Sequence, residues 1–346
     1  MKKVNCYLMI IILVIISGTI FFKSGGINIL KVSHNSNNKT QLSIGITFLD
    51  GKNDIVQKTL DVNCSSFEGD FIIDISSNQD TAFDVLLLNN FKLVNYSING
   101  GKKQGKHELF FPKTSNNSYI RTSIHITTDE IVEGLNDCEL ILLRKNNSQE
   151  EMSQQNSYCK RFTIIKSTKN NKNTLYSSNI LTIDENLGYY FFLLEKPYDK
   201  NIKNIWDYNE VIRKIEDVKI GEEKTLTIYV DIKESIKGSP FYDKYLKDES
   251  SGIKQSFAVF AFLDGELYPL NYSGLNEKYY ELYQIDLGKS VIISPKITIN
   301  SEGTHLLNVF IVSYPFTDPT KYLGTYKMSA WSNVITSYEI PIAVSN

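Results

Sequence analysis

Two apolar runs far apart in the chain are built alike, and they set the frame for everything else. Phe83-Asp84-Val85-Leu86-Leu87-Leu88 leads through Asn89-Asn90 to Leu93 and then to Asn95-Tyr96-Ser97. Phe257-Ala258-Val259-Phe260-Ala261-Phe262 leads through Asp264-Gly265 to Leu267 and, two residues later in register, to Asn271-Tyr272-Ser273. Each copy then has a Glu-Gly ahead of an apolar strand: Glu133-Gly134 before Leu140 to Leu143, and Glu302-Gly303 before Leu306 to Val312. Each ends on Ser-Asn, two aliphatic residues and Thr, at Ser178-Asn179-Ile180-Leu181-Thr182 and Ser332-Asn333-Val334-Ile335-Thr336. Matches in the same order read as an internal duplication. The duplication places one unit at residues 41–187 and the next at 188–346.

The repeated unit is a string of strands. The chain has 32 Asn and only five Ala, with 21 Tyr and 18 Phe, and this argues against helix and for β structure. Strand-length segments follow one another from residue 41 onward without alternating helices, which predicts antiparallel sandwiches. Asp264-Gly265 between two apolar runs predicts a two-residue hairpin, because a type I′ turn needs positive φ at both central residues. Asp50-Gly51 marks a similar turn. One short helix is expected where Asp207 and Glu210 form a capping box ahead of Val211, Ile212 and Ile215, the alternative being an edge strand over 211–218. The polar stretch between Lys145 and Tyr158 reads as a long exposed loop. The fold class expected is all-β: two tandem immunoglobulin-like antiparallel β-sandwich domains after an N-terminal transmembrane helix.

That helix is read from Met1-Lys2-Lys3, an uncharged run from Val4 to Phe22, and Lys23. The run is about long enough to span hydrocarbon. Lys2 and Lys3 should stay cytoplasmic, which puts the rest outside. A cleaved signal peptide is the competing reading; its best cleavage site is Ser24-Gly25-Gly26, and the uncleaved anchor over 1–23 is preferred. Residues 24–40 are rich in Gly, Asn, Ser and Lys and read as a flexible stalk. Net charge is −2 overall, and without the three lysines of the anchor the remainder is mildly acidic. This gives no footprint for nucleic acid. Heavy Asn, Lys and Ile usage suggests an AT-rich bacterial genome.

No motif points to catalysis, a cofactor or a metal. His107, His125 and His305 are far apart, and HExxH and GxSxG are absent. Gly288-Lys289-Ser290 lacks the upstream glycine and the following helix of a phosphate loop. Gly100 to Lys106 reads as a solvated basic turn rather than an anion nest. Cys64, Cys138 and Cys159 allow at most one internal disulfide and leave one thiol over. The binding candidates are aromatic: Tyr268, Tyr272, Tyr279, Tyr280, Tyr283 and Trp331. Exposed flat rings stack on sugars or anchor a protein, but period-two alternation turns many strand aromatics inward. The expectation is a non-enzymatic binding or structural module on a bacterial cell surface. It would be anchored in the membrane through residues 4–22, with an extracellular protein or cell-wall polysaccharide as partner. The alternative is a carbohydrate-binding module using the second unit's aromatics, and a third reading is a hydrolase with unrecognised carboxylates.

Overall fold

The computed structural model describes residues 42–50, 53–54, 57–59, 65–115, 118–145, 157–166, 181–183, 191–194, 214–231, 254–270, 279–286, 290–316, 334–336 and 340–345. The expected anchor and stalk, Cys64, Tyr272 and Trp331 lie outside these residues. Every regular element within them is a strand. Among the described residues no helix is long and apolar enough to cross a membrane.

The earlier strands are β1 (Leu42–Asp50), β2 (Asn53–Asp54), β3 (Gln57–Thr59), β4 (Phe67–Ser77), β5 (Thr81–Asn89), β6 (Lys92–Leu93), β7 (Ser97–Ile98), β8 (Lys106–Phe111), β9 (Ile120–Thr128), β10 (Leu135–Arg144) and β11 (Ser157–Ile165). They form one sheet in the order β2-β1-β4-β9-β7 and a second in the order β3-β11-β10-β5-β6, with β8 also on β5. The later strands are β12 (Leu181–Ile183), β13 (Phe191–Leu194), β14 (Ile215–Lys219), β15 (Glu223–Thr225), β16 (Thr227–Asp231), β17 (Lys254–Leu263), β18 (Glu266–Tyr268), β19 (Tyr280–Asp286), β20 (Ser290–Ile293), β21 (Lys296–Thr298), β22 (Gly303–Ser313), β23 (Val334–Thr336) and β24 (Ile340–Ser345). A third sheet runs β12-β20-β16-β13 and a fourth β14-β24-β22-β17-β18, with β19 on β17 and β23 on β22; β15 and β21 pair separately.

The fourth sheet repeats the strand order of the second, with β23 added on β22. β3 lies parallel to β11, and β14 lies parallel to β24, while the other pairings are antiparallel. β5 and β17 each take the long partners β10 and β22 on one side, and β8 and β19 on the other. Gly134, just before β10, and Gly303, at the start of β22, both have positive φ, 93° and 127°. The first two sequence matches therefore occupy corresponding places wherever both copies are described. The third does not: β12 pairs with β20 in the third sheet, whereas β23 pairs with β22 in the fourth. The Ser-Asn pattern is short and built from residues common in this chain, so it recurs without marking the same strand. β12 lies ahead of residue 188 yet hydrogen-bonds among the later strands.

The expected short helix is corrected at its C-terminal end. Ile215 begins β14, at the edge of the fourth sheet, and a bulge between Ile215 and Val218 places Asp217 at φ 58°. Residues 207–213 lie outside the described residues. The two hairpin signals fare well: Asp50 pairs with Asn53 across the first turn, and Asp264 and Gly265 have φ of 53° and 78°, as type I′ demands.

Strand alternation sorts the apolar residues into three cores. Phe83, Val85 and Leu87 of β5 join Cys138, Leu140 and Leu142 of β10 in packing on Phe48, Phe71, Ile73 and Ile124 of the first sheet. Phe257, Val259 and Ala261 of β17 join Leu307, Val309 and Ile311 of β22 in packing on Ile228, Val230, Val291 and Ile293 of the third. The intervening residues face the other way. Leu86, Leu88, Ile141 and Leu143 of the second sheet meet Ala258, Phe260, Phe262, Phe310 and Val312 of the fourth. The first and second sheets, the third and fourth, and the second and fourth thus pack face to face. The second and fourth sheets are buried on both faces, and this is why their central strands read as unbroken apolar runs rather than alternating ones.

Candidate functional site

The face between the second and fourth sheets concentrates the unusual chemistry. Its apolar part is locked by hairpin tips. The turn after β5 is centred on Asn90 and Phe91, with φ of 52° and 61°. Phe91 is fully buried. Its ring lies 5.5 Å from Phe260, 5.1 Å from Tyr280 and 5.4 Å from Phe316. In return, the β17–β18 turn rests against β5: a Cβ on Gly265 would come 3.6 Å from Asp84 Oδ2. At that rim Lys106 Nζ donates to Glu266 Oε1 at 2.6 Å.

Its polar part lies on β10 and β11. Arg161, with no exposed side chain, donates from Nε to Asp137 Oδ1 at 2.8 Å and from Nη2 to Asp137 Oδ2 at 2.6 Å. Its Nη1 donates to the Ser313 carbonyl at 2.5 Å and Nη2 to the Tyr314 carbonyl at 3.1 Å, across the face. The Phe316 amide donates to Asp137 Oδ2 at 3.0 Å. This bidentate pair therefore ties the two sheets as well as neutralising itself. Glu139 stands directly opposite Arg161 in the β10–β11 register and is fully buried, yet neither of its oxygens meets a hydrogen-bond donor among the described residues. Burial, reinforced by the neighbouring Asp137 charge and only partly opposed by Arg161, pushes the Glu139 carboxyl well above its ordinary range. Burial also raises the thiols of Cys138 and Cys159. These two are free and lie on opposite faces of the second sheet, Cys138 in the first core and Cys159 against the face between the sheets.

The aromatic candidates do not converge on one surface. Tyr283 is fully buried and stacks on Phe257 with centroids 5.0 Å apart. Tyr280 packs against Phe91 and Phe316, and burial raises its phenol. Tyr268 is fixed by Thr298, donating to its carbonyl at 2.7 Å and accepting from its amide at 3.0 Å. Tyr279 alone of the four described is exposed, at 42%. Tyr96, from the repeated Asn-Tyr-Ser, is a core residue whose hydroxyl donates to the Val85 carbonyl at 2.6 Å.

The histidines are separated. His107 Nε2 lies 2.8 Å from the Tyr96 carbonyl on the second sheet, and His125 Nδ1 lies 2.8 Å from Asp70 Oδ1 on the first. His305 bonds Asp264 beside the β17–β18 turn, at 2.6 Å. No three metal-ligating side chains gather among the described residues. In the basic turn Lys103 is paired with Asp129 at 2.8 Å. Sequence reasoning missed Asp137, Glu139 and Arg161. The available signal was three charged residues inside otherwise apolar strands, a pattern that marks buried partners rather than solvent.

The class is that of an all-β protein of stacked sandwiches. No protein-family model matches the chain, and no curated protein matches it. Among solved structures, the C-terminal domain of the Streptococcus pyogenes antigen I/II-family protein AspA is 8% identical, with 88% of this chain and 100% of that one covered at a TM-score of 0.21. CBD12 from CALX1.2 is 8% identical, with 84% and 97% covered at a TM-score of 0.19. Red sea bream transglutaminase is 10% identical, with 90% of this chain but only 32% of that chain covered, at a TM-score of 0.18. None of these superpositions is close enough to transfer a role.

Proposed function

We propose that this chain is a membrane-anchored, extracellular binding or structural module of a bacterial cell surface, built of two tandem immunoglobulin-like sandwiches and without catalysis. The observation that carries the reading is the back-to-back burial of two sheets with the same strand order. The orders β1-β4-β9-β7 and β11-β10-β5 match the two sheets of an immunoglobulin-type sandwich, and the later strands repeat the second of them. Such a body is rigid and presents loops at its ends, which suits display of a surface to a partner. The uncharged run from Val4 to Phe22 behind two lysines supports a membrane tether with the body outside.

The test is topological. The full chain carrying a C-terminal epitope is expressed in a bacterium and the cells are fractionated. The epitope should sediment with membranes and be lost when protease is added to intact, wall-stripped cells. An epitope found in the soluble cytoplasm, or protected from external protease, would remove this function.

A further inference from the structure

We propose that the end of the first-and-second-sheet sandwich at which the chain enters β1 is a foot that rests in the interface of the bilayer; this rests on the membrane tether proposed above and adds where the body meets lipid. Leu42, the first described residue, pairs with Ser77 at the end of β4. The same end carries the connection between β8 and β9. There the Thr114 amide donates to the Ser77 carbonyl at 2.7 Å and the Lys113 amide donates to Asp80 Oδ1 at 2.8 Å. Phe110 and Tyr119 flank that connection, one on β8 and one just ahead of β9, and each is 62% exposed. No other large hydrophobic residue among the described residues is as exposed.

The two rings lie on opposite sides of this sandwich. Phe110 alternates with the buried Phe111 and so points out of the second sheet. Tyr119 lies on the outer side of the first sheet, with the Arg121 guanidinium 5.7 Å from its ring centroid. The rings therefore edge the end on both sides, as aromatic residues ring a membrane protein at headgroup depth, where an apolar body and a wet rim are both satisfied. The cations beside them are already paired: Arg121 with Asp74 at 2.8 Å, and Lys145 with Glu108 and Asp84. Contact is thus carried by the rings and needs no anionic lipid, while the long stem of the exposed Lys113 lets its ammonium reach a phosphate group. The tether supplies the rest. A coil the length of residues 24–41 spans roughly 25 Å and holds this end near the surface at an effective concentration of about millimolar. A foot too weak to hold a free protein is then sufficient for a tethered one.

The experiment reconstitutes the full chain in phosphatidylcholine vesicles that contain a photoactivatable phosphatidylcholine, its reactive group near the headgroup. After irradiation, lipid adducts are mapped on tryptic peptides. Phe110 falls in residues 107–113 and Tyr119 in residues 114–121; residues 93–102, with the exposed Leu93 at the opposite end of β5, serve as reference. Both flanking peptides should carry about tenfold more adduct than the reference in wild type. That excess should vanish in the double variant Phe110→Ser with Tyr119→Ser, whose changes fall on exposed positions and leave the core intact. Adducts in the 4–22 run without excess on the flanking peptides would overturn the foot and leave the tether standing. Excess that survives the double substitution would also overturn it, since nearness alone rather than the rings would then bring this end to lipid. Absence of adduct from the 4–22 run would remove the tether, and the foot with it.

Discussion

Phe91 sets local strain against burial, and the two can be separated by substitution. Its backbone is left-handed at φ 61°, a conformation that costs a residue with a β-carbon about 1–2 kcal/mol. Its ring is fully buried among Phe260, Tyr280 and Phe316. Truncating a buried phenylalanine to alanine costs about 3–5 kcal/mol, so the ring outweighs the strain it imposes. Phe91→Ala keeps the strained backbone and loses the ring, and should destabilise by about 3–5 kcal/mol. Phe91→Gly loses the ring but relieves the backbone, and should be more stable than Phe91→Ala by about 1 kcal/mol while remaining well below wild type. Urea unfolding followed by far-ultraviolet circular dichroism measures all three. The ring also joins the second sheet to the fourth, so both variants should broaden or split a single transition. If Phe91→Gly matched wild type, the turn rather than the interface would govern this position. If Phe91→Gly fell below Phe91→Ala, the strain argument would fail.

Other substitutions test the remaining contacts. Gly69→Ala would place a Cβ 2.5 Å from Phe67 Cζ and 2.6 Å from Phe48 Cε2, and should cost about 1–3 kcal/mol in urea midpoint analysis. Arg161→Ala leaves Asp137 buried without its partner and should cost about 3–5 kcal/mol, whereas Asp137→Leu combined with Arg161→Met removes both charges but leaves the Ser313 and Tyr314 carbonyls and the Phe316 amide unpartnered, so it should recover only part of that loss; calorimetry distinguishes them. Tyr268→Phe, which removes both bonds to Thr298, should lower stability by about 1 kcal/mol without changing the fold seen by circular dichroism. Tyr283→Ala should lower the thermal midpoint strongly and Tyr279→Ala hardly at all, since one ring is core and the other faces water.

Much of this architecture was legible from the residues. Asp264-Gly265 announced its turn because only certain residues accept positive φ twice in succession. The strands over Phe83 to Leu88 and Phe257 to Phe262 were visible from their apolar content. Their lack of alternation also held a message, that both faces are covered, and this emerges only when the sheets are seen stacked. The Asn90-Phe91 turn was hidden, since a buried phenylalanine at positive φ is selected by a contact with Phe260 on a distant strand. The Asp137–Arg161 bond and the Glu139 carboxyl were hidden for the same reason: their meaning depends on register between β10 and β11 and on what covers that face. The aromatic candidates cluster in the sequence of the second unit, but alternation sends Tyr283 to the core and Tyr280 to the interface. The Ser178 and Ser332 patterns misled because a five-residue polar and aliphatic match carries little information in a chain so rich in asparagine.

The parallel pairing of β14 with β24 governs how the molecule bears a load. Ile215 faces Ile342, Val218 faces Val344 and Lys219 faces Ser345, with both strands running the same way. Tension between the two ends of the chain draws β14 toward its own beginning and β24 toward its own end. The strands are then sheared along their length rather than peeled apart. In shear, the rungs of the ladder resist together and rupture is a single high-barrier event, whereas an antiparallel hairpin pulled from its open end gives way one rung at a time. A tether attached at the first residue and a partner gripping the far end would therefore strain the pairing in its strongest direction.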